Sequence, residues 1–169
     1  MRVKLQPAGA EDAEAVAALR NAVSDDLTVR HGRGWWTGHC TTAGVLFDLR
    51  HARVFVARRR DEAIATLVLA TRKPWAIDRR FFTKVRNPLY LTAMAVAPGL
   101  QRQGLGRACL AEAVKLARRA QADALCLDAY DHAAGAGEFY RKCGFRETGR
   151  ARYCDAPLVY FEMLLGRKP

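Results

Sequence analysis

The chain has 169 residues, half of them hydrophobic, enough for one sizeable core and too few for a second independent domain, so one domain over residues 1–169 is expected. No apolar run approaches the ~20 residues that span a bilayer and MRVKLQPAGAED has no signal-peptide core, which excludes a membrane span and points to a cytoplasmic protein. The 28 Lys and Arg against 17 Asp and Glu give a formal charge of +11, which favours a polyanionic partner, either a phosphorylated cofactor or nucleic acid.

RVKLQPA predicts a first strand, and EDAEAVAALRNAV a helix with Val16, Leu19 and Val23 on one face. Residues 24–39, with GRGWW inside, read as loop or irregular helix, and TTAGVLFDLRHA as a second helix. RVFVARR and EAIATLVLAT, split by an Arg-Asp-Glu turn, suggest a hairpin. The polar and aromatic RKPWAIDRRFFTKVRNP is an excursion from the sheet. LYLTAMAVAP is a strand ended by Pro98. From Gly106 a helix follows, with Leu110, Ala113, Val114 and Ala117 on one face. ADALCLDAY reads as a strand buried on both faces, GEFYRKC as a short helix, and FRETG and PLVYFEMLL as two closing strands.

Two features narrow the chemistry by exclusion. The five cysteines, Cys40, Cys109, Cys126, Cys143 and Cys154, show no CxxC spacing, so they read as reduced, mostly buried thiols, and no metal site is expected. The basic residues stand in short groups such as Arg58–Arg60 and Arg118–Arg119, with no basic tail. Each group alone reads as solvated surface, which disfavours a nucleic-acid partner.

The stretch QRQGLGRACL places Gly104 and Gly106 at a helix start, where free backbone N–H groups and the positive end of the helix dipole suit phosphate. It is not a Walker A loop, because Arg107 and Ala108 stand where Lys and Ser or Thr are needed. The dinucleotide fingerprint shares two glycines and finds Asp128 at a suitable distance. Cys109, however, replaces its third small residue, and too little chain remains for a doubly wound sheet. Gln101-x-x-Gly104-x-Gly106, after AMAVAP and before a helix, resembles the acyl-coenzyme A loop of the GNAT superfamily of N-acyltransferases. GEFYRKCGF resembles a later block of that family, an aromatic-Tyr pair followed by a basic residue and Gly-Phe.

That resemblance covers almost the whole chain and implies an α+β fold. In it, three layers, α/β/α, enclose a mixed, strongly twisted sheet of about seven strands, splayed at the cofactor site. It implies an acetyltransferase using acetyl-coenzyme A as cosubstrate, transferring acetyl directly to a primary amine of a small molecule or peptide. The N–H groups of Gln101, Arg102, Gln103, Gly104, Leu105, Gly106 and Arg107 then hold the pyrophosphate, with Arg102 and Arg107 adding charge. The backbone of Met94, Ala95 and Val96 pairs with the pantetheine arm. Tyr140 matches the family tyrosine that serves the leaving thiolate, and Asp128 stands where some members place a base. Arg141 and Lys142 either reach the adenosine phosphate or face solvent. One departure is Ala133, where many members carry a cofactor-contacting asparagine, so DHAAGAG is expected to contribute backbone only.

The acceptor side is expected around Trp35 and Trp36 of GRGWW and Tyr153 with Asp155 of ARYCDAP, with Trp75, Phe81 and Phe82 as a lid or as plugs over the core. His31, His39, His51 and His132 read as surface histidines. Two other classes stay open, a non-catalytic coenzyme A binding protein and a basic nucleic-acid-binding protein. A homodimer is compatible with the sequence.

Overall fold

In the computed structural model, which describes residues 3–166, the first strand is reduced to β1 (Gln6–Pro7), antiparallel to β2 (Arg53–Arg59). Pro7 has no N–H to donate, which suits this outermost position. β2 turns into β3 (Glu62–Ala70), and after a long excursion β4 (Pro88–Val96) lies antiparallel to β3. β5 (Ala124–Tyr130) runs parallel to β4, while β7 (Ala156–Leu164) and β6 (Arg146–Tyr153) complete seven strands in the order β1-β2-β3-β4-β5-β7-β6. The last hairpin closes through Cys154 and Asp155, both at positive φ, so most of the expected ARYCDAP loop is strand.

Two helices cover one face and two the other. α1 (Ala13–His31) and α2 (Thr42–His51) share Ala13, Val16, Ala17 and Val45 as their own small core. α1 outruns the apolar spacing that ends at Val23. Its second half is polar, and an Asp26–Arg30 ion pair helps carry it to Gly32, where φ of +76° ends it. α3 (Leu105–Arg119) and α4 (Gly137–Lys142) pack on the opposite face. There Leu105, Cys109, Leu110, Ala113 and Ala117 meet Leu67, Leu91, Leu125, Leu127 and Phe161 in the main core.

The excursion between β3 and β4 lies on the sheet. Ile77, Phe82 and Val85 pack with Tyr90, Ala124 and Cys126, and Phe81 stacks obliquely on Tyr160 at 5.1 Å. Buried Glu162 anchors it, accepting from the N–H of Thr83 (2.8 Å), from its hydroxyl (2.7 Å) and from Arg146. Burial works against the Glu162 carboxylate, but these donors outweigh it and hold its pKa below the ordinary value. Phe81 and Phe82 are therefore plugs over the core, while Trp75 stands 87% exposed. Among the described residues no helix is long and apolar enough to cross a membrane.

Candidate functional site

The site begins with a break in the sheet. β4 and β5 pair only at Pro88–Ala124, Leu89–Leu125 and Tyr90–Cys126. Beyond Tyr90, β4 keeps its partner β3 on one edge, yet the register slips there between Thr66 and Val68, which face Ala95 and Thr92. Two β4 residues, Ala93 and Met94, thus oppose the single Leu67, a bulge that holds Ala93 at φ +48°. Among the described residues, the edge of β4 facing β5 along Met94, Ala95 and Val96 has no strand partner, and the Val96 carbonyl accepts from Gln101 Nε2 (3.0 Å).

The glycine turn follows directly. Pro98–Leu100 form a single 3-10 turn, Arg102 has φ +59°, and Gly104 caps α3 at φ +84°. A side chain at Gly104 would meet nothing within 4 Å, so this helix start faces open space. A Cβ at Gly106 would just touch the Phe139 ring at 3.4 Å, where α4 packs against α3, so the position has room for a methyl group and little more. Arg102 and Gln103 are exposed, and the Gln103 amide donates to the Gly99 carbonyl. The Arg107 guanidinium donates to the Lys142 carbonyl (3.1 Å), tying the start of α3 to the end of α4. Arg141 and Lys142 pair with Glu138, and Arg141 also with Glu147.

Tyr140 lies inside this arrangement, enclosed by the rings of Phe139, Phe145 and Phe161. Its hydroxyl reaches across the break to Met94 Sδ at 3.9 Å. Burial first, then the charges of Asp128 and Cys143, push the phenol well above its ordinary pKa, so it stays protonated. Asp128 comes from the other side. Residues alternate across β5, so Leu127 and Ala129 join the α3–α4 core while Asp128 shares the opposite face with Cys126 and Tyr130. Burial raises its carboxyl pKa. A protonated phenol and a carboxyl with raised pKa thus approach the break from opposite faces.

The expected acceptor residues separate. Trp36 is buried, donates Nε1–H to the Gly32 carbonyl (3.0 Å) and packs edge-on against Tyr130. Trp35 is 44% exposed, and its carbonyl accepts from the Tyr130 hydroxyl (3.0 Å), which fastens GRGWW beside Asp128. Tyr153 stands at the tip of the last hairpin, 40% exposed. The sequence reading missed Tyr130, His31 and His132 as neighbours of this site. The His132 ring lies 4.7 Å from Trp36, and His31 meets Trp36 edge-on. In DHAAGAG, Gly135 folds so tightly that a Cβ would fall 1.9 Å from the Tyr130 carbonyl oxygen.

Cys109 and Cys126 are buried, which pushes their thiols up to about 11 and about 12. Cys40 and Cys143 are half-buried and Cys154 is exposed, and all five are free. Among the described residues no cluster of three or more His, Cys, Asp or Glu is placed to hold a metal.

Residues 50–147 match the acetyltransferase (GNAT) domain. No curated protein sequence matches. Among solved structures, the chain is similar to the ribosomal-protein-alanine N-acetyltransferase of Brucella melitensis, with TM-score 0.71 and 20% identity over 96% of this chain and 99% of that one. It is similar to the ribosomal-protein-S18-alanine N-acetyltransferase of Escherichia coli, with TM-score 0.70 and 18% identity over 99% and 96%. It is also similar to yncA of Salmonella typhimurium, solved with its cofactor acetyl-CoA, with TM-score 0.69 and 16% identity over 99% and 96%.

Proposed function

The chain belongs to the GNAT acetyltransferase family, and from that premise we propose that it transfers the acetyl group of acetyl-coenzyme A directly to a primary amine of a small molecule or peptide. The observation that carries this reading is the break between β4 and β5, with the unpaired edge of Met94–Val96 on one side and the open helix start at Gly104 at its end. Such a cleft fits an extended, amide-bearing chain that ends in phosphates. Strand-like pairing takes up the amides, while backbone N–H groups and the α3 dipole take up the anion.

When bound, acetyl-coenzyme A supplies an acetyl thioester. Gln101–Arg107 hold its pyrophosphate through their N–H groups, and exposed Arg102 adds charge. Arg107 serves in this reading through its backbone N–H and its charge, with one guanidinium N–H held by the Lys142 carbonyl. Asp128, with its raised pKa, is a better base than a carboxylate at the ordinary ~3.9 and accepts the proton of the attacking amine. Tyr140 donates a hydrogen bond to the departing sulfur. Full transfer from a phenol above ~10 to a thiolate of conjugate pKa ~8.5 runs uphill, so stabilisation of developing charge is its main contribution. Trp35, Trp36 and Tyr130 line the approach of the amine, with Tyr153 at its rim.

The test is calorimetry with acetyl-coenzyme A, followed by thiol release across a panel of amines. Peptides with free N-terminal alanine belong in that panel, because two of the similar structures are named for that acceptor. Micromolar binding with thiol release on at least one amine is the expected result. Binding without release on any amine leaves a coenzyme A binding protein, and no binding removes the reading altogether.

A further inference from the structure

We propose that the end of the sheet remote from the glycine turn is a binding face for single-stranded nucleic acid. α3 carries the chain about 22 Å from Leu105 to Arg119, at ~1.5 Å per residue, back to the level where β4 begins. At that end four pieces of chain meet around a cleft of about 330 Å³: the α2–β2 junction, the end of β3, the start of β4 and the end of α3. Phe55, Leu69, Leu89 and Leu116 wall it, and His51, Arg53 and Thr71 supply its polar rim.

The basic residues that look like scattered surface groups in the sequence converge here. Arg50 precedes His51, Arg72 follows Thr71, Arg86 stands just before β4, and Arg118 and Arg119 lie between Leu116 and Ala120 of the lining. With Arg53 these six are exposed, and among the described residues none of them forms an ion pair. The nearby carboxylates are already engaged: Asp48 pairs with Arg20, and Asp123 accepts from the Asn87 N–H (2.8 Å). At the glycine turn, by contrast, Arg141 and Lys142 of the neighbouring helix are neutralised by Glu138 and Glu147. Six guanidiniums without an ion pair among the described residues thus gather at an end of the sheet where no cosubstrate phosphate is needed.

Aromatic surface accompanies this charge. Phe47, 57% exposed, stacks on the His51 ring at 4.1 Å, and the Arg53 guanidinium lies over Phe55 at 5.5 Å. Phe55 is buried beneath Arg53, so the exposed Phe47 ring is the face a base can reach; free guanidiniums near one such ring match a single strand, whose phosphates and unpaired bases are both available. A duplex hides its base faces and a bilayer surface is flat, so neither uses a concave cleft with one exposed ring beside it.

The test is anisotropy of a short fluorescein-labelled oligouridylate, titrated with protein between about 50 and 200 mM salt, where log K falls by about 0.7 per phosphate contact per decade. Arg118→Glu/Arg119→Glu is expected to weaken binding at least about tenfold and to make the salt slope shallower by about 1.4, the share of two contacts. Phe47→Ala is expected to weaken it about fivefold or more with the slope unchanged, as loss of one stacked base would. Arg59→Glu/Arg60→Glu changes net charge equally at the opposite end of the sheet and is expected to leave affinity within about twofold. Acetyl-coenzyme A affinity, measured in parallel, reports that each variant is folded. Should Phe47→Ala fail that check, a 4-thiouridine strand cross-linked to the wild type gives the answer: adducts within 47–55 and 116–120 support the face, and adducts elsewhere overturn it. Equal losses in both charge-reversal variants, tighter binding to a duplex or to phosphatidylserine vesicles, or no binding at the lowest salt each overturn the proposal.

Discussion

Replacing Gly104 by Ala tests the phosphate loop while separating backbone strain from crowding. Gly104 has φ +84° and ψ −5°, a left-handed conformation that costs an L-residue about 1–2 kcal/mol. In a chain of this length that loss lowers Tm by about 2–8 °C. The added Cβ meets no protein atom within 4 Å, so it points into the space assigned to the pyrophosphate. If it displaces one charge-assisted hydrogen bond, worth about 1.5–3 kcal/mol, the Kd for acetyl-coenzyme A rises about 10- to 100-fold. Two further variants divide these effects. Gly104→Asn tolerates the left-handed conformation and recovers most of the Tm, yet keeps the bulk and so retains the weak binding. Gly99→Ala, with open space and no positive φ, leaves both quantities unchanged. Calorimetry and thermal melts on the three proteins provide the measurement. Normal affinity in Gly104→Ala despite a lowered Tm, or affinity that returns with Tm in Gly104→Asn, would refute the placement of phosphate at this turn.

Tyr140→Phe removes a hydroxyl whose partner here is Met94 Sδ; Tm is expected to hold while the single-turnover rate falls about 10²-fold, measured by rapid quench. Asp128 titrates above its ordinary value because of burial. The unfolded chain therefore ionises first, and stability declines as pH rises from the unfolded value through the folded one. Asp128→Asn is accordingly expected to raise Tm at pH 7, with the gain vanishing toward pH 3.8 and below; kcat falls about 10²-fold or more, and the acid limb of kcat/KM disappears. Trp36→Ala is expected to cost about 3–5 kcal/mol by urea denaturation, because the ring is buried and its N–H is bonded. Trp35→Ala, half exposed, is expected to spare stability and to raise KM for the amine more than for acetyl-coenzyme A.

What the sequence disclosed depended on whether a requirement is local. The glycine turn and the Phe139-Tyr140 block are local: they need small residues at a helix start and rings on one short helix, and both are visible in the letters. The order of helices and strands was legible for the same reason, through apolar spacing. The second half of α1 was only half legible, because its ion pair and the bonds its Ser24 hydroxyl donates to the Trp36 and Gly38 carbonyls substitute for a buried face. The bulge at Ala93 was not, since LTAMA reads as unbroken strand and the slip is imposed by β3 across the sheet. Nor were the tie from Tyr130 to the Trp35 carbonyl and the stacking of His132 on Trp36, contacts between segments far apart in the chain. The bond from Arg107 to the Lys142 carbonyl is likewise absent from the letters, since it joins the start of α3 to the end of α4.

The three register pairs that join β4 to β5 have a consequence for how the molecule opens. On one side of them, β2, β3 and β4 assemble through neighbouring antiparallel contacts; on the other, β5, β7 and β6 do the same over a short stretch of chain. Joining the two sets requires closure of the α3 crossover, the costlier long-range step, so this seam forms late and parts early. Apart from the two-residue β1 pairing at the edge, it is the shortest pairing in the sheet, and the one that divides the longer strands into two sets. A ligand lying along it as a strand bonds to both sets at once and raises their opening free energy together by mass action. Occupancy of the cleft and cooperativity of unfolding then become a single property, set at the seam between the two halves of the sheet.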